Sequence, residues 1–202
     1  MDLANLPTDI LRPTGAVAAS RGTIELIVGC MFSGKTTLLL QRIRGHAPRD
    51  VCAFKHSLDQ RYRPDRIVAH HGDTVSCRAV SSEADIAAGV AAGMRLCAID
   101  EAHFFGAGLV GVIDELADRG VAIVLTGLDL DSWGRPFGVM ETLRARANRV
   151  LRQWAVCGGC GAPADHTQRL TPIIGGDLVG GPESYEPRCA ACWHRPPEPP
   201  PE

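Results

Sequence analysis

The chain has 202 residues, enough for about one to one and a half average domains. Its 21 Lys and Arg against 23 Asp and Glu leave a net charge of -2, and 45% of residues are hydrophobic and 22% charged. This excludes a disordered or collagen-like chain and argues against a protein held to nucleic acid by a broad basic field. Apolar runs such as Val121 to Thr126 are too short to cross a bilayer. The first twenty residues carry Asp2 and Asp9 and no apolar block of signal-peptide length, so a cytoplasmic protein without membrane contact is expected.

Residues 1–21, with Pro7, Pro13 and Gly15, show no sustained period and predict a loosely ordered arm. From Thr23 the pattern alternates. Thr23 to Val28 predicts a strand, and Lys35 to Arg44 a helix with Leu39 and Ile43 on one face. Val51 to Lys55 predicts a strand, His56 to Asp73 a long polar loop, and Val75 to Val80 another strand. Ser82-Glu-Ala-Asp85 starts a helix as a capping box. Arg95 to Ile99 predicts a strand, and Leu109, Val112, Ile113 and Leu116 follow the spacing of an amphipathic helix. Val121 to Thr126 is the nearly all-apolar strand of a parallel sheet. A helix over about 136–148 and a strand over 150–156, carrying Trp154 into the core, complete the alternation. The expected fold class is α/β, a P-loop NTPase-like, mostly parallel sheet flanked by helices over residues 22–156.

Gly29-Cys-Met-Phe-Ser-Gly34-Lys35-Thr36 matches G-x-x-x-x-G-K-[ST] between a strand and a helix. Backbone N–H groups of such a loop, with Met31, Phe32, Ser33 and Thr37 contributing, cradle phosphates at a helix N-terminus. Lys35 would reach the β and γ phosphates of ATP, and Thr36 would ligate Mg²⁺. Leu96-Cys-Ala-Ile-Asp100-Glu101 is an apolar strand ending in two acids. Asp100 is suited to hold the Mg²⁺. Glu101 would either polarise a water, as in an ATPase, or accept a hydroxyl proton, as in a small-molecule kinase.

Of eight cysteines, Cys30, Cys52, Cys77 and Cys97 read as small packing residues. Cys157-Gly-Gly-Cys160 and Cys189-Ala-Ala-Cys192 are two knuckles suited to tetrahedral Zn²⁺. With four protein ligands the zinc is structural, and the excursion between the pairs forms a clamped lid module over 157–193. Arg195-Pro-Pro-Glu-Pro-Pro-Pro-Glu202 predicts a Pro-rich, disordered tail over 194–202. Arg42, Arg44, Arg144, Arg146 and Arg149 read as solvated helix faces or subunit contacts.

These motifs occur in one order together with Lys55-His-Ser-Leu-Asp59-Gln-Arg61-Tyr62, His70-His-Gly72, Asp100-Glu-Ala-His-Phe-Phe105, Gly127-Leu-Asp-Leu-Asp131, Gly134-Arg-Pro-Phe137, Thr167-Gln-Arg169 and Gly180-Gly-Pro-Glu-Ser-Tyr185. The set resembles the type II thymidine kinases, the compact zinc-containing family, from about Gly22 to Trp193. The resemblance implies transfer of the γ-phosphoryl of ATP to the 5′-hydroxyl of thymidine, or of deoxyuridine, in nucleotide salvage for DNA synthesis. It implies Glu101 as general base, with Arg61 and Lys35 also catalytic, and Asp59 and Arg61 near the sugar and the transferred phosphoryl. Met31, Phe104, Leu128 and Phe137 match positions around the base, Thr167 faces its methyl group, Leu178 joins the substrate set, and Tyr185 closes the pocket. A homotetramer inhibited by dTTP, with no nucleic-acid partner, is also implied. Three residues depart from the family pattern: Cys30 for Pro, His103 for Gln, and Ser132 for an aromatic, with Trp133 beside it. The competing reading is a P-loop ATPase or GTPase switch, against which no Asn-Lys-x-Asp motif occurs. A nucleic-acid-binding zinc ribbon is disfavoured because Tyr185 alone would stack bases there.

Overall fold

The computed structural model describes residues 9–13 (backbone only), 21–59, 63–69, 71–172 and 180–198. Its centre is a seven-stranded sheet whose strands, in chain order, are β1 (Asp9–Pro13), β2 (Ile24–Val28), β3 (Val51–His56), β6 (Arg78–Val80), β7 (Leu96–Asp100), β8 (Ala122–Gly127) and β9 (Arg149–Arg152). Their order in space is β1-β9-β2-β8-β7-β3-β6, with all neighbours parallel except β1 against β9. The expected α/β class is what the molecule has.

Strand side chains alternate between two cores. Leu26, Ile99 and Leu125 face the layer of α2 (Glu83–Gly89), α3 (Gly108–Asp118) and α4 (Met140–Arg146), whereas Ile27, Ala98 and Val124 face α1 (Lys35–Arg44). Burial on both faces is why these strands read as continuous apolar runs. The capping box at α2 is present, with Ser82 Oγ accepting from the Asp85 N–H and the Asp85 carboxylate accepting from the Ser82 N–H. Cys30 and Cys97 are buried as packing residues, and Cys52 and Cys77 half-buried. The five arginines noted above pair within the chain: Arg42 and Arg149 with Glu25, Arg44 with Asp73, Arg144 with Asp129 and Arg146 with Asp114.

Several elements differ from expectation. Residues 9–13, inside the expected loose arm, form β1, because β9 offers an open edge for backbone pairing. The expected loop over 56–73 contains β4 (Arg66–Val68), paired with β5 (Thr74–Ser76), so the single strand expected over 75–80 is two. The helix expected over 136–148 begins at Met140, because Phe137 N–H donates to the Asp129 carbonyl at 3.1 Å and closes a loop instead. The strand expected over 150–156 breaks after Arg152, where Gln153 N–H turns to the Val28 carbonyl at 2.8 Å. Trp154 falls in that break and is half-buried.

Beyond the break lie two hairpins. β10 (Ala155–Val156) pairs with β11 (Pro163–Ala164), and β12 (His166–Arg169) with β13 (Tyr185–Arg188). They dock on the phosphate loop: Cys30 packs with Ala155, Cys157 and Ala164, its Sγ 3.4 Å from the Ala164 carbonyl, and Met31 N–H donates to Thr167 Oγ1 at 3.1 Å. Among the described residues no helix is long and apolar enough to cross a membrane.

Candidate active site

In a parallel sheet the carboxyl ends of the strands share one edge, and ligands gather there. Here that edge brings together the loop after β2, the end of β3, the acids at the end of β7 and the turn after β8. Val28 lies level with Gly127, and Lys55 with Asp100.

The loop after β2 takes the conformation its glycines permit. Gly29 has φ 148°, and a Cβ there would stand 2.3 Å from the Gln153 carbonyl oxygen. Gly34, at φ 85°, caps α1. No side chain but hydrogen fits the first position, and few tolerate either angle. Lys35 is buried and donates to the Cys30 carbonyl at 2.6 Å. Burial raises the Cys30 thiol pKa to about 11, although Lys35 pulls it down. Cys30 in place of Pro therefore fills an apolar seat against the hairpin module as a neutral thiol.

Thr36 Oγ1 lies 3.4 and 3.5 Å from the two Asp100 carboxylate oxygens. Thr126 Oγ1 donates to Asp100 Oδ1 from the neighbouring strand. Glu101 follows at φ 53°, a left-handed conformation uncommon for a non-glycine residue, which turns the chain sharply off β7. Its N–H points back at Asp100 Oδ1, 3.2 Å away.

His103 is buried between Phe104 and Phe137, with ring centroids 4.3 and 4.6 Å away. Its Nδ1 accepts from the Leu128 N–H at 3.2 Å and stands 3.6 Å from Glu101 Oε2. The neutral ring therefore carries its proton on Nε2. Lys55 is 1% exposed, with Nζ 3.7 Å from Asp59 Oδ2. Burial lowers the pKa of neighbouring His56, whose ring meets Phe105 edge-on at 4.7 Å.

A cavity of about 120 Å³ joins these parts. Residues 31–37, Asp59, Asp100, Glu101, Phe104, Leu128, Phe137, Thr167 and Tyr185 all line it. Of the residues singled out from sequence, Arg61 and Leu178 lie outside the described residues, and Gly29 supports the loop from behind. Val68, His103, Asp131, Ser132, Trp133 and Gly180 line the cavity as well; none is among the named site residues, although the family pattern places an aromatic at Ser132, beside Trp133, and Gly180 suits close backbone approach. Val68 is hidden in a stretch that reads as loop. Trp133 could be found only through its neighbour Ser132, a small residue at a position where the family pattern has an aromatic.

The four paired cysteines meet at the end of the hairpin module, their Sγ atoms all within 4.8 Å of one another and Cys160 and Cys189 3.6 Å apart. Thiolates about 2.3 Å from one tetrahedral Zn²⁺ stand about 3.8 Å apart, so the donor set and spacing fit that ion. Burial opposes the Cys157 thiolate, but N–H groups of Cys189, Gly159 and Cys160 prevail and bring its pKa to about 6.

The family model for thymidine kinase matches residues 22–193, from the start of β2 through the last cysteine pair. The chain belongs to the thymidine kinase family. The match agrees with the type II resemblance carried by the motifs, and thymidine kinases are ATP-dependent phosphotransferases acting on an alcohol group. Within the family match, the chain carries one cavity from phosphate loop to aromatic wall and a four-cysteine cluster able to hold zinc.

Proposed function

We propose that the protein transfers the γ-phosphoryl of ATP to the 5′-hydroxyl of thymidine, and more weakly of deoxyuridine, giving the nucleoside monophosphate and ADP for DNA synthesis. The observation that carries this reading is the continuity of the cavity. The phosphate loop, the acids Asp100 and Glu101 and the aromatic side chains of Phe104, Phe137 and Tyr185 line one and the same cavity.

The loop N–H groups from Met31 to Thr37 hold the phosphates, and Lys35 leaves the Cys30 carbonyl to bridge them. Thr36 and Asp100 are the residues to hold Mg²⁺, which when bound draws charge from the phosphate oxygens. Glu101 takes the 5′-hydroxyl proton as the 5′-oxygen bonds to the γ-phosphorus and the bond to the β-γ bridging oxygen breaks, releasing ADP. Asp59 and Arg61 hold the sugar and the moving phosphoryl. Met31, Phe104, Leu128 and Phe137 enclose the base, Thr167 meets its methyl group, and Leu178 and Tyr185 cover it. Zinc on Cys157, Cys160, Cys189 and Cys192 clamps the covering segment. We extend the reading to residues 22–156 as the kinase unit and 157–193 as the lid. A cytoplasmic homotetramer, inhibited by dTTP and without a nucleic-acid partner, completes the proposal.

The test is ATP–Mg²⁺-dependent phosphorylation of thymidine, deoxyuridine, deoxycytidine, deoxyadenosine and deoxyguanosine, with Glu101→Gln beside the full chain. Thymidine should lead. Loss of the base should lower kcat by about 10²–10⁴-fold while ATP still binds. Turnover of no nucleoside, with ATP bound, would overturn the reading in favour of an ATPase or switch.

A further inference from the structure

The chain beyond the last cysteine turns back on the cavity. Trp193 stacks on His166, centroids 4.9 Å apart, and covers Gly134, where a Cβ would stand 3.2 Å from its ring. His194 N–H donates to Gln168 Oε1 at 2.8 Å. Arg195 to Glu198 then cross the loop that carries Ser132 and Trp133. Arg195 Nε donates to the Trp133 carbonyl at 3.2 Å, Trp133 Nε1 donates to the Pro197 carbonyl at 3.1 Å, and Glu198 pairs with Arg135. The segment expected to be disordered is, through Glu198, fastened at four points, three of them by partners more than sixty residues away in sequence.

These contacts converge on Trp133 and its loop: its indole N–H, its carbonyl and the neighbouring Arg135. Trp133 is 5% exposed and forms part of the cavity wall beside Ser132. The guanidinium of Arg135 lies 5.7 Å from its ring centroid. Its loop is otherwise held by Asp131, whose Oδ1 accepts the Trp133 and Arg135 N–H groups and so fixes backbone but not the indole. The indole N–H is fixed only by Pro197 among the described partners. Proline suits that role, since Pro196 and Pro197 have restricted φ and lose little freedom on docking. Residues 194–198 also lie beyond the family match, which ends at residue 193.

We propose that Arg195–Glu198 is a strap that holds Trp133 as a wall of the nucleoside chamber. Trp133 is a specificity-determining residue, and Arg195 and Pro197 are positioning residues acting through it. Ser132 supplies no ring, so the flat apolar surface on that side comes from the neighbouring indole. The inference rests on the reading of the cavity as a nucleoside site. Release of the strap frees the indole, weakens capture of the planar base, and leaves the phosphate loop untouched.

The test compares the full chain with a chain ending at His194, with Trp133→Phe and with Arg195→Ala. Thymidine and ATP are varied separately, and thymidine binding is also read by calorimetry. The shortened chain should raise thymidine KM and Kd about five- to tenfold, with kcat and the ATP KM changed less than about twofold. Trp133→Phe keeps a ring and loses the N–H, so its effect should be partial and should not add to that of shortening. Thymidine KM changed less than about twofold, or an ATP KM rising in step with it, overturns the strap while leaving the kinase reading intact. Should the shortened chain not fold, the two full-length variants decide by the same criterion. A full chain that phosphorylates no nucleoside overturns the nucleoside reading and the strap with it.

Discussion

Thr126 and Asp100, on neighbouring strands, share a buried hydrogen bond at the floor of the cavity, with the Thr126 hydroxyl also 3.4 Å from the Glu101 N–H. One hydroxyl thus ties the orientation of a carboxylate to the turn that carries the next acid. The other Asp100 oxygen is left toward Thr36. Orientation of this kind acts on metal affinity without touching the metal.

Thr126→Val keeps the side-chain shape and removes the hydroxyl. It should raise the Mg²⁺ concentration needed for half-maximal rate, at fixed ATP, by about 10–100-fold. A Mg²⁺ titration of rate checks this, and an unchanged midpoint would show that Asp100 is oriented by other means.

Lys55 and Asp59 form an ion pair at 1% and 5% side-chain exposure. Removing one member takes a buried opposite charge away from the other. Lys55→Met should cost about 3 kcal/mol of stability, and Lys55→Met with Asp59→Asn less than that single change. Urea unfolding of the two variants measures the difference directly.

The docking of Cys30 and Met31 on the hairpins couples the cysteine cluster to the phosphate loop. Stripping metal with a chelator, or Cys192→Ala, should lower the melting temperature and weaken binding of a fluorescent ATP analogue about fivefold or more, since the loop loses its support. Melting that falls while ATP affinity holds would mean that the two units are independent.

Asp85 accepts from the Ser82 hydroxyl and N–H, which holds its pKa below the ordinary carboxylate value of 3.8. A depressed folded pKa means that its stabilisation is complete above that value and fades as pH falls through the folded one. Ser82→Ala should bring the Asp85 titration, followed by carboxyl-carbon NMR, back toward 3.8 and flatten this part of the acid response.

Local chemistry is the most legible in the sequence. The phosphate loop can be read because its spacing encodes backbone angles, seen at Gly29 and Gly34, and α2 because Ser82 and Asp85 satisfy each other within one turn. The strands through Leu26, Ile99 and Leu125 are legible from burial on both faces. Pairings set by distant partners are not. β1 exists through its match to β9, whose residues lie more than two thirds of the way along the chain, and the Pro-rich segment is placed through Trp133 and Arg135. Phe137 reads from sequence both as part of the base pocket and as part of a helix. Phe137 does line the cavity, and the helical placement fails because its N–H serves the Asp129 carbonyl.

Glu101 sits at φ 53°, where a side chain bearing a Cβ costs about 1–3 kcal/mol relative to an unstrained backbone. Glycine carries no such steric penalty, so Glu101→Gly should relax the turn even as it removes the carboxylate. On the reading of Glu101 as the base, thermal robustness and turnover are opposed at this position. A directed-evolution campaign that scores heat tolerance alone would drift toward glycine or asparagine there, enriching proteins that outlast their parent and, on the same reading, turn over about 10²–10⁴-fold more slowly.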